Sequence, residues 1–448
     1  AGANRIPSLF RITVNFIVDH FEHVESLGVI ENDVRVAIAK ELVARKKLDA
    51  RAFEALVEPH TMETLEIVDC AGIPQDAMVS VLASIHGLRY LLLTHAGRCF
   101  GRRAVAALLE KNVGAQLCCL SIGGAYLLQD EDAAKLIETH DSTLQSIAFQ
   151  SCPLLGDKFV AAIHNNPTLG QNLLELSLQD MSLSGEQLDA LANSRQALKG
   201  IQSLTLRSVA GLTDEVLARI LAVAHESLDS LDVGYNYALG DATLSSIRKH
   251  GSLRLTTLVL DGIKTMTGAG LEALFTHPLE GLPPPPKLKV LRLSSMDHEA
   301  VTDELLRLVT AGVSTAGAAP RTNQAGGADV PSAFRLPGLA HYRSRGRGGG
   351  LVQLDVQGST LVTDQLLEHL VETSTNTLES LNVSYCPLIK DQGLGYLVSR
   401  VGRQLTKIEV WGCAQLTDEF FDGHDRVRDG TLEIIGAWMK KSGTRTLR

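Results

Sequence analysis

One stretch of this chain returns at a fixed offset, and that offset limits what the chain can fold into. Leu378, Leu381, Val383 and Cys386 recur 27 residues later as Leu405, Ile408, Val410 and Cys413. The shared template is L-x-x-L-x-L-x-x-C. Its apolar-x-apolar centre alternates with period two, which predicts a short strand. Behind the strand, Leu394, Leu397 and Val398 stand at helical spacing after an acidic start. A unit of one strand and one helix has an apolar side that it cannot bury alone. It must stack on copies of itself.

The copies are present. Taking the middle apolar residue of the template as an anchor, anchors fall at Leu65, Leu91, Leu120, Ile147, Leu176, Leu204, Leu231, Leu258, Leu291, Leu354, Leu381 and Ile408. Successive steps are 26, 29, 27, 29, 28, 27, 27, 33, 63, 27 and 27 residues. This is the leucine-rich-repeat signature in its cysteine-containing form. It predicts an α/β horseshoe, or solenoid, of about twelve repeats, with parallel strands on the concave face and helices on the convex face.

Two steps are long. The 33-residue step contains Pro283-Pro284-Pro285-Pro286, a stiff loop before a strand. The 63-residue step contains 312–350, rich in Ala, Gly, Ser and Pro, which reads as a disordered insert. Residues 1–60 do not fit the repeat. They read as helices with apolar spacings of three and four, a cap over the first open end or a docking surface for a partner. After Cys413 the period stops, and 414–448 reads as a C-terminal cap sealed by Leu432, Ile434, Ile435 and Trp438. The domain order is thus a helical cap (1–60), repeats one to nine (61–311), the insert (312–350), repeats ten to twelve (351–413) and the second cap (414–448).

Asp130, Asp157, Asp214, Asp241, Asp364, Asp391 and Asp418 each lie ten residues after an anchor, often behind Thr. A Thr-Asp pair at a helix start caps free N–H groups and meets the positive end of the dipole. The carboxylate row is therefore structural. Cys70, Cys152, Cys386 and Cys413 each follow their anchor by five residues, so they are buried wall residues. Seven cysteines without paired spacing give no disulfide framework and fit a reducing compartment.

Signatures of catalysis fail one after another. His298-Glu299 lacks the second His of a zincin helix. Cys118-Cys119 cannot form a C-x-x-C clip. The glycines at 346 and 348–350 lack the Lys-Ser/Thr of a phosphate loop. His140-Asp141-Ser142 puts three triad letters side by side, which is the wrong geometry. The chain is read as a non-enzyme without cofactor or metal. A net charge of −9 argues against a general polyanion binder. Arg343, Arg345 and Arg347 read as part of a solubilising loop rather than a nucleic-acid contact.

What remains is surface. Positions just before, just after and three after each anchor face the concave side. Strands about 4.8 Å apart give twelve repeats an inner face roughly 50 Å long, which suits a macromolecule. That face carries Arg207, Asp232, Asp261, Arg292, Asp355, Asn382 and Lys407. Trp411 and Tyr385 are the candidate aromatic anchors, and the patch around them is the candidate protein-docking site. The plainer alternative is that Trp411 packs into the C-terminal cap.

The repeat alone resembles the substrate receptors of F-box ubiquitin ligases, although residues 1–60 carry no recognisable F-box. The ends are more particular. IPSLFRITVNFIVDHFEHVESLGVI, LDARAFEALVEPHTMETLEIVDCAGI and LTKIEVWGCAQLTDEFFDGH resemble the Rad seven (Rhp seven) family, the leucine-rich-repeat subunit of the fungal global-genome nucleotide-excision-repair complex. The resemblance implies a nuclear scaffold beside a Swi/Snf-type ATPase, with elongin C and a cullin, meeting damaged DNA mainly through partners. The alternative is a receptor of a cullin ligase with a Skp-type adaptor and no repair role. Fungal relatives carry a basic, cysteine-bearing region upstream. No Cys precedes Cys70 here, so that module is expected to be absent or trimmed.

Overall fold

A computed structural model describes residues 8–111, 117–193, 196–250, 254–276, 284–314, 350–423, 426, 431–440 and 443–447. The chain divides into two compact units, Ala1–Ile201 with Val209–Gly211, and Gln202–Ser208 with Leu212–Arg448.

The first unit opens with helices α1 (Leu9–Asp19), α2 (Asn32–Ala44) and α3 (Ala50–Leu56). Strands β1 (Thr64–Ile67), β2 (Tyr90–Leu93), β3 (Cys119–Gly123), β4 (Ser146–Gln150) and β5 (Glu175–Met181) follow. Helices α4 (Gln75–Ser84), α5 (Arg102–Lys111), α6 (Asp130–Thr139), α7 (Asp157–His164), α8 (Pro167–Asn172) and α9 (Gly185–Ala192) alternate with them. The strands pair in parallel and in anchor register, Leu65 with Leu91, Leu91 with Leu120, Leu120 with Ile147 and Ile147 with Leu176.

The second unit holds β6 (Ser203–Val209), β7 (Ser230–Asp232), β8 (Thr257–Val259), β9 (Val290–Arg292), β10 (Gln353–Asp355), β11 (Ser380–Asn382) and β12 (Lys407–Glu409). Between them run α10 (Asp214–Ala224), α11 (Asp241–His250), α12 (Gly268–Phe275), α13 (Asp303–Ser314), α14 (Asp364–Ser374) and α15 (Asp391–Arg400). A last helix, α16 (Asp418–Gly423), precedes β13 (Glu433–Lys440) and β14 (Gly443–Leu447). The anchors again face each other, from Leu204–Leu231 through Leu381–Ile408.

Helix α10 shows why each unit folds as it does. Thr213 caps it by accepting from the Val216 N–H at 3.4 Å. Asp214 and Glu215 load the positive end of the dipole. Val216, Leu217, Ile220, Leu221 and Ala224 then bury one face against the sheet. Each large apolar side chain contributes about 1.5–3 kcal/mol of transfer free energy.

Every strand from β2 to β12 ends in the same turn. The residue four after the anchor takes a left-handed conformation: His95, Gly124, Ser151, Asp180, Ser208, Tyr235, Gly262, Ser295, Gly358, Tyr385 and Gly412, with φ between 50° and 84°. A non-glycine residue there costs about 1–2 kcal/mol. In most of these turns the N–H donates to the next repeat, as from Ser208 to Gly234 O at 3.0 Å and from Ser295 to Gln357 O at 2.9 Å. These bonds offset the strain and continue the ladder beyond the strands.

Three expectations change. The aspartates do not cap their own helices. Each opens its helix and reaches the start of the next one. Asp130 accepts from the N–H groups of Gly156, Lys158 and Phe159 at 2.8–2.9 Å. Asp214 takes Gly240 and Thr243, Asp241 takes Thr267, Asp364 takes Lys390 and Asp391 takes Thr417. Asp303, twelve residues after its anchor, does the same for Thr363 across the long insert. Asp157 instead accepts from the Gln187 side chain, and the Asp418 side chain lies outside the described residues.

Second, the sheet does not stop at β12. Strand β13 joins it in parallel, with Ile434 opposite Ile408, and Leu432 and Ile434 are buried. Strand β14 then turns back antiparallel on β13. The cap is therefore a thirteenth strand and a hairpin; the side chain of Trp438 lies outside the described residues. Third, α13 carries helix through Ser314 and Gly350 is buried, so the span read as insert overlaps ordered structure at both ends. Residues 315–349, with Arg343, Arg345 and Arg347, lie outside the described residues.

All seven cysteines are free and buried. Cys386 and Cys413 donate S–H bonds to Val356 O and Val383 O of the preceding repeat at 3.4 and 3.1 Å. Asn236 uses the same register position to reach Leu206 O at 2.6 Å. Burial pushes the Cys152 thiol up to about 11 and the Cys386 thiol up to about 12, so both stay protonated near neutral pH.

Candidate functional site

The nine side chains singled out for docking all lie in the second unit, on the sheet face away from the helices. Five of them form one ionic strip across five consecutive strands. Arg207 Nη1 meets Asp232 Oδ1 at 3.3 Å, and its Nη2 meets Asp261 Oδ2 at 3.3 Å. Arg292 Nη2 meets the same Asp261 oxygen at 2.7 Å and Asp355 Oδ2 at 3.6 Å. The strand register sets this order, because residues one and three after the anchor point to the same side.

This strip is not the open polar surface that the sequence suggests. Asp232, Asp261, Asp355 and Asn382 are buried, and backbone N–H groups already use one oxygen of each. Asp232, Asp355 and Asn382 accept from residues two further on, Gly234, Gln357 and Ser384, at 3.0–3.1 Å. Asp261 accepts from Ser294 N–H at 3.1 Å. Burial pushes the Asp355 carboxyl up to about 6 against the pull of Arg292, and it raises Asp232 against the pull of Arg207. Replacing a whole buried ion network with apolar residues is often neutral, whereas removing one member strands a charge. The strip therefore fixes geometry along the face.

The aromatic end is more open. Tyr385 is 56 % exposed, and Trp411 is half-buried with its N–H bonded to Ser384 Oγ at 3.1 Å. Lys407 is paired with Glu409 at 2.6 Å. Asn382 donates its amide to Gln357 Oε1 at 3.3 Å, a link that spacing alone did not single out.

A second surface lies in the N-terminal segment, which the sequence offers as a cap or as a docking surface for a partner. Helix α1 turns only Val14 and Val18 inward, while Leu9, Phe10, Ile12 and Phe16 face solvent, Leu9 at 79 % and Phe16 at 64 % exposure. The helix is nevertheless held firmly. Ser8 Oγ caps its start through the Arg11 N–H at 3.2 Å. Arg45, on the end of α2, binds Asn15 and Asp19. Lys47 Nζ donates to the last carbonyls, Val18 O and Asp19 O, at 3.1 Å each. The sequence signal was available: SLFRITVNFIVD is apolar on more than the one face a cap can bury.

Repeating strand–helix units, parallel pairing in anchor register and a repeated turn define this chain as an α/β leucine-rich-repeat solenoid. No family model matches it, nor does any curated protein. Among solved structures, the crystal structure of the Rad7 and Elc1 complex in yeast matches with a TM-score of 0.67 and 16 % identity, over 95 % of this chain and 92 % of the matched one. The shared property at that identity is the fold.

Proposed function

We propose that this chain is a non-catalytic scaffold of the Rad7 kind, a receptor subunit of a ubiquitin-ligase complex in nucleotide excision repair. The observation that carries the reading is the exposed apolar face of α1. Four large apolar side chains on a rigidly held helix make a surface that water penalises and a partner groove can cover. The structural neighbour was crystallised as a complex of Rad7 with Elc1. In this reading an elongin C-type adaptor sits on α1 and links the chain to a cullin, while the repeat face is left for other proteins. A nuclear location, a Swi/Snf-type ATPase beside it and contact with damaged DNA through partners belong to the same proposal.

The test is capture of purified elongin C by the full chain. Wild type is expected to retain it. Leu9→Asp and Phe16→Asp are expected to weaken retention at least tenfold with an unchanged melting temperature, because neither side chain is buried. Retention unaffected by both changes would place the adaptor elsewhere. Affinity purification after ultraviolet damage separates the repair role from its alternative. Recovery of a Swi/Snf ATPase is expected; a cullin with only a Skp-type adaptor would point to a receptor without a repair role.

A further inference from the structure

Repeats seven and eleven carry the same device, complete in one and lacking a part in the other. Tyr235 and Tyr385 each stand four residues after their anchor, with φ of 58° and 57°. Their N–H groups donate to Asp261 O at 2.6 Å and Trp411 O at 2.5 Å. Each ring packs against a glycine of the next repeat. A Cβ at Gly262 or Gly412 would come within 2.5 Å of the ring, so any larger residue there would displace the tyrosine. On the same two strands, Asp232 and Asn382 accept from the N–H two residues on, both at 3.0 Å. The preceding repeat reaches each of them with a side chain three after its anchor, Arg207 to Asp232 and Gln357 to Asn382, both at 3.3 Å.

The difference is the cation. The Arg207 guanidinium stacks over the Tyr235 ring at 4.5 Å from its centroid, and that ring is half-buried. At Tyr385 the corresponding residue is the neutral Gln357, no cation stacks on the ring among the described residues, and the ring is 56 % exposed. The charges along the strip are also uneven. Among the described residues, Asp232, Asp261 and Asp355 form ion pairs with Arg207 and Arg292. Arg292 lies closer to Asp261, at 2.7 Å, than to Asp355, at 3.6 Å. The under-neutralised carboxylate is therefore Asp355, the cross-strand neighbour of Asn382. Trp411 stands at the register position that Asp261 holds in the complete device, so an aromatic replaces one of the two carboxylates that Arg207 meets there.

We propose that the Tyr385 ring, with Asp355 and Asn382 on the same face, is a subsite for an arginine side chain of a partner protein. The guanidinium takes the place over Tyr385 that Arg207 takes over Tyr235. A planar, weakly hydrated cation stacks on an aromatic face while its N–H groups reach a carboxylate, and a lysine ammonium does so less well. The inference deepens the scaffold reading, since it gives the chemistry of one contact made by the repeat face.

The test uses immobilised pentapeptides with arginine at the centre and mixed residues at the other positions, beside the same library with citrulline, the neutral isostere. The full chain is expected to be retained at least tenfold more strongly by arginine. Tyr385→Ala should abolish the preference. Gln357→Arg should abolish it too, because it rebuilds the internal guanidinium and fills the site from within. That change leaves no cavity, so its melting temperature should hold or rise. Equal retention on both libraries overturns the subsite, as does a folded Gln357→Arg variant that still prefers arginine. Elongin C capture by the same variants reads the scaffold proposal separately. Wild type that selects arginine but does not hold elongin C would sink the ligase reading and leave the subsite standing.

Discussion

At the scale of residues, the leucine anchors and the charges beside them behave differently. Leu381 is fully buried between Leu354 and Ile408. Leu381→Ala is expected to cost on the order of 2–5 kcal/mol in denaturant unfolding. Cys386→Ala removes less volume together with one weak S–H bond, and it should cost clearly less. Equal tolerance of both changes would show that Leu381 is not a core anchor. Asp355 gives the chain a signature in pH. Its folded carboxyl, at about 6, holds a proton more tightly than the unfolded carboxyl near 3.9. Its contribution to stability is therefore fully present below about pH 4 and lost as the pH rises through about 6, with a total of roughly 3 kcal/mol. Asp355→Asn should flatten that part of the stability–pH curve; an unchanged slope would assign it to other groups. Spacing shows that Asp355 lies on the sheet face opposite the core. It does not show that Arg292, Gln357 and Asn382 would close over it.

At the scale of elements, the aspartate row separates a local cap from a tie between repeats. Thr213 acts on its own helix through the Val216 N–H. Asp214 acts on the next helix through Gly240, the Thr243 N–H and the Thr243 hydroxyl. Thr213→Ala should cost about 1 kcal/mol and speed amide exchange at Val216. Asp214→Ala should cost about 1–3 kcal/mol, since it leaves several donors unmet, and it should speed exchange at Gly240 and Thr243. If Asp214→Ala exposed only the start of α10, the tie between repeats would be wrong. The recurrence of these aspartates was legible in the sequence. Their partners were not, because an Asp behind Thr is equally suited to cap its own helix. The left-handed turn was half legible. Glycine at 124, 262, 358 and 412 signals it, but Ser151, Ser208 and Tyr385 share the conformation because the next repeat accepts their N–H.

At the scale of the whole molecule, each repeat depends on its neighbours, so damage at an end should stay near that end. Strand β13 covers the edge of β12 through Val410 N–H to Ile435 O and Glu433 N–H to Thr406 O, both at 2.8 Å. Removing the chain from Thr431 onward should lower the melting temperature and speed amide exchange in β12, while β7 to β9 keep their protection. Loss of protection throughout the second unit would mean that its repeats unfold as one. Strand β13 also marks where pattern reading ends. Ile434 keeps the anchor, but Thr431 and Gly436 occupy the positions of Leu405 and Val410, so two of three apolar marks are gone. The sequence by itself determined the strand–helix unit, the anchors and their parallel register, because burying a one-sided unit demands a local apolar period. The tertiary structure decided which charges are buried, which helix each aspartate serves, that a thirteenth strand closes the edge and that α1 keeps an apolar face outward. Those outcomes depend on side chains 25 or more residues away, whose approach no local spacing records.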